Sequence, residues 1–375
     1  GAEAIASCGD PALAGGAPAG LSAYLSTRTL LIRPESDQAR ISVTLRNIRI
    51  DRGNDPSSGA RSEAAGIWIG HARKVDLQDV EITGGGKGFG LMVVDSANVT
   101  ARNLNIHDMV WAPYAGDAEL TLERVRAQGW NTAPVREFRF AGQQGVKADG
   151  FQGVRVQEQL SCVMIVRSTN VVLDKMRIKG CGARFAEGNL PWQADGVGIG
   201  ESSAAIRISR SAIADTWEGV DVVGGGVGVK DIAISDTSID NSFGYGVKGG
   251  YTLRNLTVTD SIISNSGLAG VVIYGPVVGA AVVRTKIGDV GSVRFGTMLQ
   301  RPWQQERAGV LIEQGSTAAT ALQYPQGVRL ENVQVRGGAN CHFGLLNITP
   351  TRLRRTGITV SGCEADRQDV WKSPG

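Results

Sequence analysis

Residues 75–82 read VDLQDVEI, and residues 99–106 read VTARNLNI. In both, apolar residues fall at i, i+2, i+5 and i+7: Val75, Leu77, Val80, Ile82, then Val99, Ala101, Leu104, Ile106. A helix needs i, i+3, i+4, i+7, and a single strand needs unbroken alternation. This pattern is two period-2 strands with one extra polar residue between them. The chain therefore turns a corner while keeping one apolar side inward.

The same quartet recurs along the sequence. The first is Val43, Leu45, Ile48, Ile50; later ones start at Leu120, Val171, Ile232, Leu256, Ala280 and Val328, with a weaker one at Ile358, Val360, Cys363, Ala365. Copies at 232, 256 and 280 are 24 residues apart, as are those at 75 and 99. The wider gaps at 122–171 and 287–328 read as rungs with inserted loops. A second motif precedes most copies: AGIWIG (65–70), FGLMVV (89–94), DGVGIG (195–200), EGVDVV (218–223), YGVKGG (245–250), AGVVIY (269–274), AGVLIE (308–313) and FGLLNI (343–348). Each unit of about 24 residues thus holds three short strands. One unit cannot bury its own apolar face, and stacking makes a continuous core. The expected fold is all-β: a right-handed, single-stranded parallel β-helix of about ten or more rungs.

Composition agrees. Gly is 51 of 375 residues, about twice the usual share, against only 12 Pro and no Gly-X-Y period, which suits tight turns and excludes collagen. The expected layout is an N-terminal cap or arm over 1–40, the β-helix over 41–365 with loops near 128–160 and 288–307, and a tail over 366–375. Asn47, Asn103, Asn255 and Asn332 suit turns or polar ladders. Net charge is +3, too small an excess to name an anionic partner. Nucleic acid is not expected as a partner, and no run of 18 apolar residues suggests a membrane span. The Ala/Gly-rich start GAEAIASCGDPALAGG reads as a mature end left after signal removal, so a secreted or periplasmic protein is expected. Cys341 and Cys363, 22 residues apart, read either as a disulfide or as two small buried residues.

Stacked rungs lie about 4.8 Å apart, so matching positions form columns. The outward position inside the second motif reads Trp68, Met92, Gly198, Asp221, Lys248, Val272, Leu311, Leu346; the position at the strand's start reads Ala65, Phe89, Asp195, Glu218, Tyr245, Ala269, Ala308, Phe343. Charge concentrates in three consecutive rungs. Asp195 and Glu218 are expected in a turn, where the pleat does not dictate direction. Two carboxylates about 5 Å apart raise each other's proton affinity, so one can serve as general acid and the other as base or nucleophile. Asp195, Glu218, Tyr245 and Lys248 are the catalytic candidates. Asp221, Trp192, Trp217, Tyr251 and Tyr274, with Lys147 and Asp149 of the stretch GVKADGFQG (145–153), are candidates for holding sugar. Asp221 and Lys248 read as an ion pair; the bland alternative is a solvated surface pair. No metal-ligand spacing is evident, and no compact acidic cluster is spaced for Ca²⁺.

The chain resembles the pectin-lyase-like and polygalacturonase-like β-helix proteins over residues 40–365. Polygalacturonase-like hydrolases carry Asn-x-Asp, an Asp-Asp pair and Gly-His-Gly in successive rungs. Here those places read Gln193-Ala194-Asp195, Trp217-Glu218 and Gly244-Tyr245-Gly246. The first Asp is kept, the pair is reduced to one Glu, and Tyr replaces His. The resemblance implies a polysaccharide-cleaving hydrolase without a cofactor. Its alternatives are a lyase or an epimerase with a Lys248 or Tyr245 base, Ca²⁺ assisting a lyase. A rival from another class is a non-catalytic carbohydrate-binding or surface protein. A monomer is expected, or a trimer if the protein is spike-like.

Overall fold

The computed structural model describes residues 3–7, 21–26, 29–34, 41–51, 65–70, 72–83, 89–94, 96, 98–107, 114–116, 120–123, 126–128, 162–180, 195–200, 202–223, 228–291, 307–316 and 322–369. Among these the chain is a right-handed parallel β-helix. Each rung gives two strands to one large sheet and one strand to a second. Register follows the repeat: Val75 pairs with Val99, Ile232 with Leu256, and Leu256 with Ala280. The second-motif strands stack in line through Val197, Val220, Val247, Val271, Val310 and Leu345.

The corner inside each quartet has a defined backbone. Asn47, Asp79, Asn103, Lys175, Arg210, Asp236, Asp260, Arg284 and Asn332 all sit at i+4 with positive φ, from 46° at Arg284 to 53° at Asn47. Asn and Asp tolerate this left-handed region best, which accounts for their frequency there. A second left-handed corner lies just before the quartet, as at Asn98, Asp231 and Asn255. These corners stack through side chains: Asn103 Nδ2 donates to Asp79 Oδ1 at 2.7 Å, and Asn255 Nδ2 to Asp231 Oδ1 at 2.7 Å. The third quartet position is often a buried hydroxyl. Thr237, Ser261 and Thr285 each donate to the carbonyl two residues back, at 2.8, 2.8 and 3.0 Å, which satisfies the group and lets it sit inside. The remaining interior is one continuous apolar cluster running from Val43 to Leu345.

Two rungs escape the simple pattern. Ile206, Ile208, Ser211 and Ile213 form a quartet around Arg210, and Val163–Val166 is a further second-sheet strand pairing with Val197–Ile199. The last rung is shifted from its expected register. Leu330 pairs with Arg355 and Val335 with Val360, so its quartet is Leu353, Arg355, Ile358, Val360. Cys363 is instead bonded to Cys341, and Ala365 opens a strand of the other sheet beside Phe343.

At the amino end, Glu3–Ser7 pairs in parallel with Ile41–Asp51, and Thr29–Pro34 pairs with Ala65–Gly70 and, antiparallel, with Leu21–Ser26. At the other end pairing runs on through Ala365–Asp369. Residues 129–161 and 292–306, most of the two expected loops, lie outside the described residues. The rungs on either side of them are direct neighbours: Leu122 pairs with Leu173, and Val283 with Glu331.

Candidate functional site

The charged column lies on the outer face of the second sheet. Asp221 stands between core residues Val220 and Val222, so alternation turns it outward, and it pairs in register with Gly198 on one side and Lys248 on the other. Glu218 and Asp195 reach the same face for a different reason. The residues after them, Gly219 and Gly196, lie against the interior. A Cβ at Gly219 would overlap the Ile239 side chain and lie 2.5 Å from the Gly246 carbonyl; one at Gly196 would overlap Ile213 and lie 2.5 Å from the Gly219 carbonyl. The backbone is pressed onto the core at these glycines, and alternation restarts there.

Lys248 joins the group together. Its Nζ donates to Glu218 Oε2 at 3.0 Å and to Asp221 Oδ2 at 3.3 Å. The Glu218 amide N–H donates to Asp195 Oδ1 at 3.3 Å. One carboxylate oxygen from each of Asp195, Glu218 and Asp221 lies within 4.8 Å of the other two. Oxygens this close can share a small cation, and the cation seated against two of them is the Lys248 ammonium. From the sequence, Asp195 and Glu218 are expected to be close but no compact acidic cluster is; Asp221 completes one here because stacking brings two rungs together.

The group is buried. Asp195 is 0% exposed, Glu218 and Asp221 2%, and the Lys248 side chain 14%. The solvated-surface-pair alternative therefore does not hold. Burial pushes the Glu218 carboxyl well above its ordinary range, the negative charges of Asp221 and Asp195 add to this, and Lys248 opposes it. Burial alone would lower the Lys248 pKa; Asp221 and Glu218 outweigh it and hold the ammonium well above its ordinary value. Burial likewise raises the Tyr274 phenol. Asp221 Oδ1 has no hydrogen-bond partner among the described residues.

No protein-family model matches the chain, and no curated protein does. Solved structures do match. The A-module of the mannuronan C-5 epimerase AlgE4 from Azotobacter vinelandii aligns over 87% of this chain and 88% of its own at 14% identity, TM-score 0.48. An alginate lyase from a Paenibacillus species aligns over 89% and 92% at 11% identity, TM-score 0.46. PfbA, a surface adhesin of Streptococcus pneumoniae, aligns over 87% and 83% at 9% identity, TM-score 0.48. The likeness is one of fold. It does not choose among activities, since one fold carries many.

The remaining candidates fall into four groups. Tyr274 stands by Lys248, whose Nζ lies 5.9 Å from its ring centre, and Tyr251 meets the Tyr274 ring edge to face at 5.0 Å and 78°. Trp217 leans on Phe243 at 4.9 Å, a partner the sequence reading did not single out. Tyr245 is buried in a second apolar cluster with Leu268, Ala269, Val272, Ala308, Leu311 and Leu346. Trp192, Lys147 and Asp149 lie outside the described residues. That second cluster also covers the outer face beyond the site. Val272, Leu311 and Leu346 occupy the outward column beyond Lys248 and are 0–1% exposed. The half-buried side chains around the carboxylates are Lys248, Trp217, Tyr251 and Tyr274.

Proposed function

We propose that the protein is a glycoside hydrolase acting on a polysaccharide. One observation carries the reading: three buried carboxylates lie within 4.8 Å of one another, and a single ammonium bonds two of them. Three negative charges against one positive charge in a dehydrated site favour retention of a proton. Burial and the two neighbouring carboxylates place that proton on Glu218. Glu218 would donate it to the glycosidic oxygen as the bond to the anomeric carbon breaks. Asp195, whose Oδ1 accepts the Glu218 amide, would supply the negative charge that meets the developing oxocarbenium ion, by attacking carbon or by taking a proton from water. Lys248 would orient Glu218 and Asp221.

The same geometry speaks against Lys248 as the base of a lyase or epimerase. An ammonium bound by two carboxylates has no lone pair to offer, and Tyr245, the other base considered, is buried in an apolar cluster. On this reading the ammonium serves as the cation of the site, and Ca²⁺ is needed only for β-elimination. The Cys341–Cys363 disulfide supports an oxidising, secreted or periplasmic setting. The near-complete burial of the three carboxylates favours a second reading, non-catalytic carbohydrate binding.

A panel of acidic and neutral polysaccharides tests these readings. Reducing ends and the ultraviolet absorbance of unsaturated products are read together, with Glu218→Gln alongside. The hydrolase reading expects new reducing ends, no absorbance, and loss of both rate and product in the variant. Absorbance rising with the ends would mean elimination. A polymer that is bound but left intact would establish the second reading.

A further inference from the structure

Lys248 and Gly250 lie two residues apart on one strand and face the same way. The register partner of Gly250 is Tyr274 on the next rung. A Cβ built on Gly250 would fall inside the Tyr274 ring, against Cδ1, Cε1 and Cζ. The ring therefore packs on the bare backbone of Gly250, in space that any side chain there would take from it. Tyr251, in the left-handed region at φ 48°, meets the Tyr274 ring edge to face. The ammonium thus has carboxylates on one side at 3.0 and 3.3 Å and an aromatic face on the other, with the ring centre at 5.9 Å.

We infer that Tyr274 is a positioning residue whose ring, seated on Gly250, holds the Lys248 ammonium against Glu218 and Asp221. A lysine side chain has four rotatable bonds and escapes to water when nothing confines it. The ring confines it, and an aromatic face attracts a cation more strongly where water is excluded. No hydroxyl is needed for this, so phenylalanine should serve as well as tyrosine. Only the kinetic consequence rests on the hydrolase reading.

The experiment is lysine-selective ¹⁵N labelling of the whole chain, observing the Lys248 ammonium proton–nitrogen cross-peak at neutral pH, assigned by its loss in Lys248→Met. Exposed ammonium protons exchange too fast to be seen; a confined one is retained. Wild type and Tyr274→Phe should show the cross-peak. Tyr274→Ala should lose it. Gly250→Ala, which evicts the ring without removing it, should lose it too, with circular dichroism confirming the fold of each variant. Once a polymer is identified, kcat should fall roughly tenfold in Tyr274→Ala and Gly250→Ala with KM little changed, Tyr274→Phe recovering most of the loss. A cross-peak kept in both alanine variants would overturn the inference, whatever the polymer panel says. A cross-peak lost as expected with no polymer cleaved would uphold it and refute the hydrolase reading alone.

Discussion

Replacing Lys248 by methionine keeps most of the side chain's volume and removes its charge. The ammonium lies 3.0 Å from Glu218 and 3.3 Å from Asp221. At an effective dielectric of about 20, the contact with ionised Asp221 is worth roughly 5 kcal/mol of attraction, and protonated Glu218 adds a hydrogen bond. Much of that is offset in the wild type by the cost of dehydrating the lysine. Removing one partner of a buried pair typically costs about 3–5 kcal/mol, because the other charges stay buried and uncompensated. With an unfolding entropy of about 2.1 cal/mol/K per residue, 375 residues melting together would lose about 4–6 °C. The deficit also depends on pH. The folded-state pKa of Glu218 is raised, so its contribution is fully present below the unfolded value and lost as pH rises through the folded one. Without Lys248, Glu218 binds its proton more tightly still, so the variant's deficit should shrink towards acid pH and grow over the range from there to mildly alkaline pH. Thermal melts of both proteins across that range, followed by circular dichroism, measure this. A melting point within about one degree of wild type at every pH would refute the reasoning, since it would mean water already screens the cluster.

Other outcomes follow from the same structure. Glu218→Gln should cut turnover by about 10²–10⁴ on a cleaved polymer, the usual worth of a general acid, with the melting point near or above wild type; comparison of kcat and melts checks it. Gly219→Ala should destabilise by at least about 1–3 kcal/mol, because its methyl overlaps Ile239, whereas Gly288→Ala, with nothing within 4 Å, should be near neutral; melting of the two side by side decides. Asn255→Ala should cost about 1–2 kcal/mol, since alanine is strained at φ 59° and the bond to Asp231 is lost; Asn255→Gly should recover the backbone part. Cys363→Ser opens a bridge spanning 22 residues and should cost about 3 kcal/mol, read as a lowered melting point.

Much of the scaffold is legible in one repeat. The spacing of Val75, Leu77, Val80 and Ile82 implies a corner, and Asp79 at that corner does take the left-handed backbone. Local chemistry suffices there, because Asn and Asp are favoured in that conformation whatever surrounds them. The pattern is weaker where tertiary contacts substitute for it. The rung around Arg210 keeps the spacing but has an arginine at its corner, where Arg210 pairs with Asp174, and a serine inside, which donates to the Ser209 carbonyl. The last rung was misread by five residues, because a disulfide, not burial, decides where Cys363 sits.

The site divides the same way. Stacking of the second motif aligns Asp221 with Lys248, and counting from the strand starts brings Asp195 and Glu218 to neighbouring rungs. That much the linear order determined, since a regular rung length converts sequence position into height along the axis. Their common direction came from the tertiary structure: Ile213 and Ile239 press against Gly196 and Gly219 and send the preceding carboxylates outward. So did their burial, which turns a pair that would be weak in water into one able to retain a proton, and so did the seating of Tyr274 on Gly250. These depend on side chains from separate rungs meeting across a surface closed to water, and no spacing along the chain encodes how much water remains.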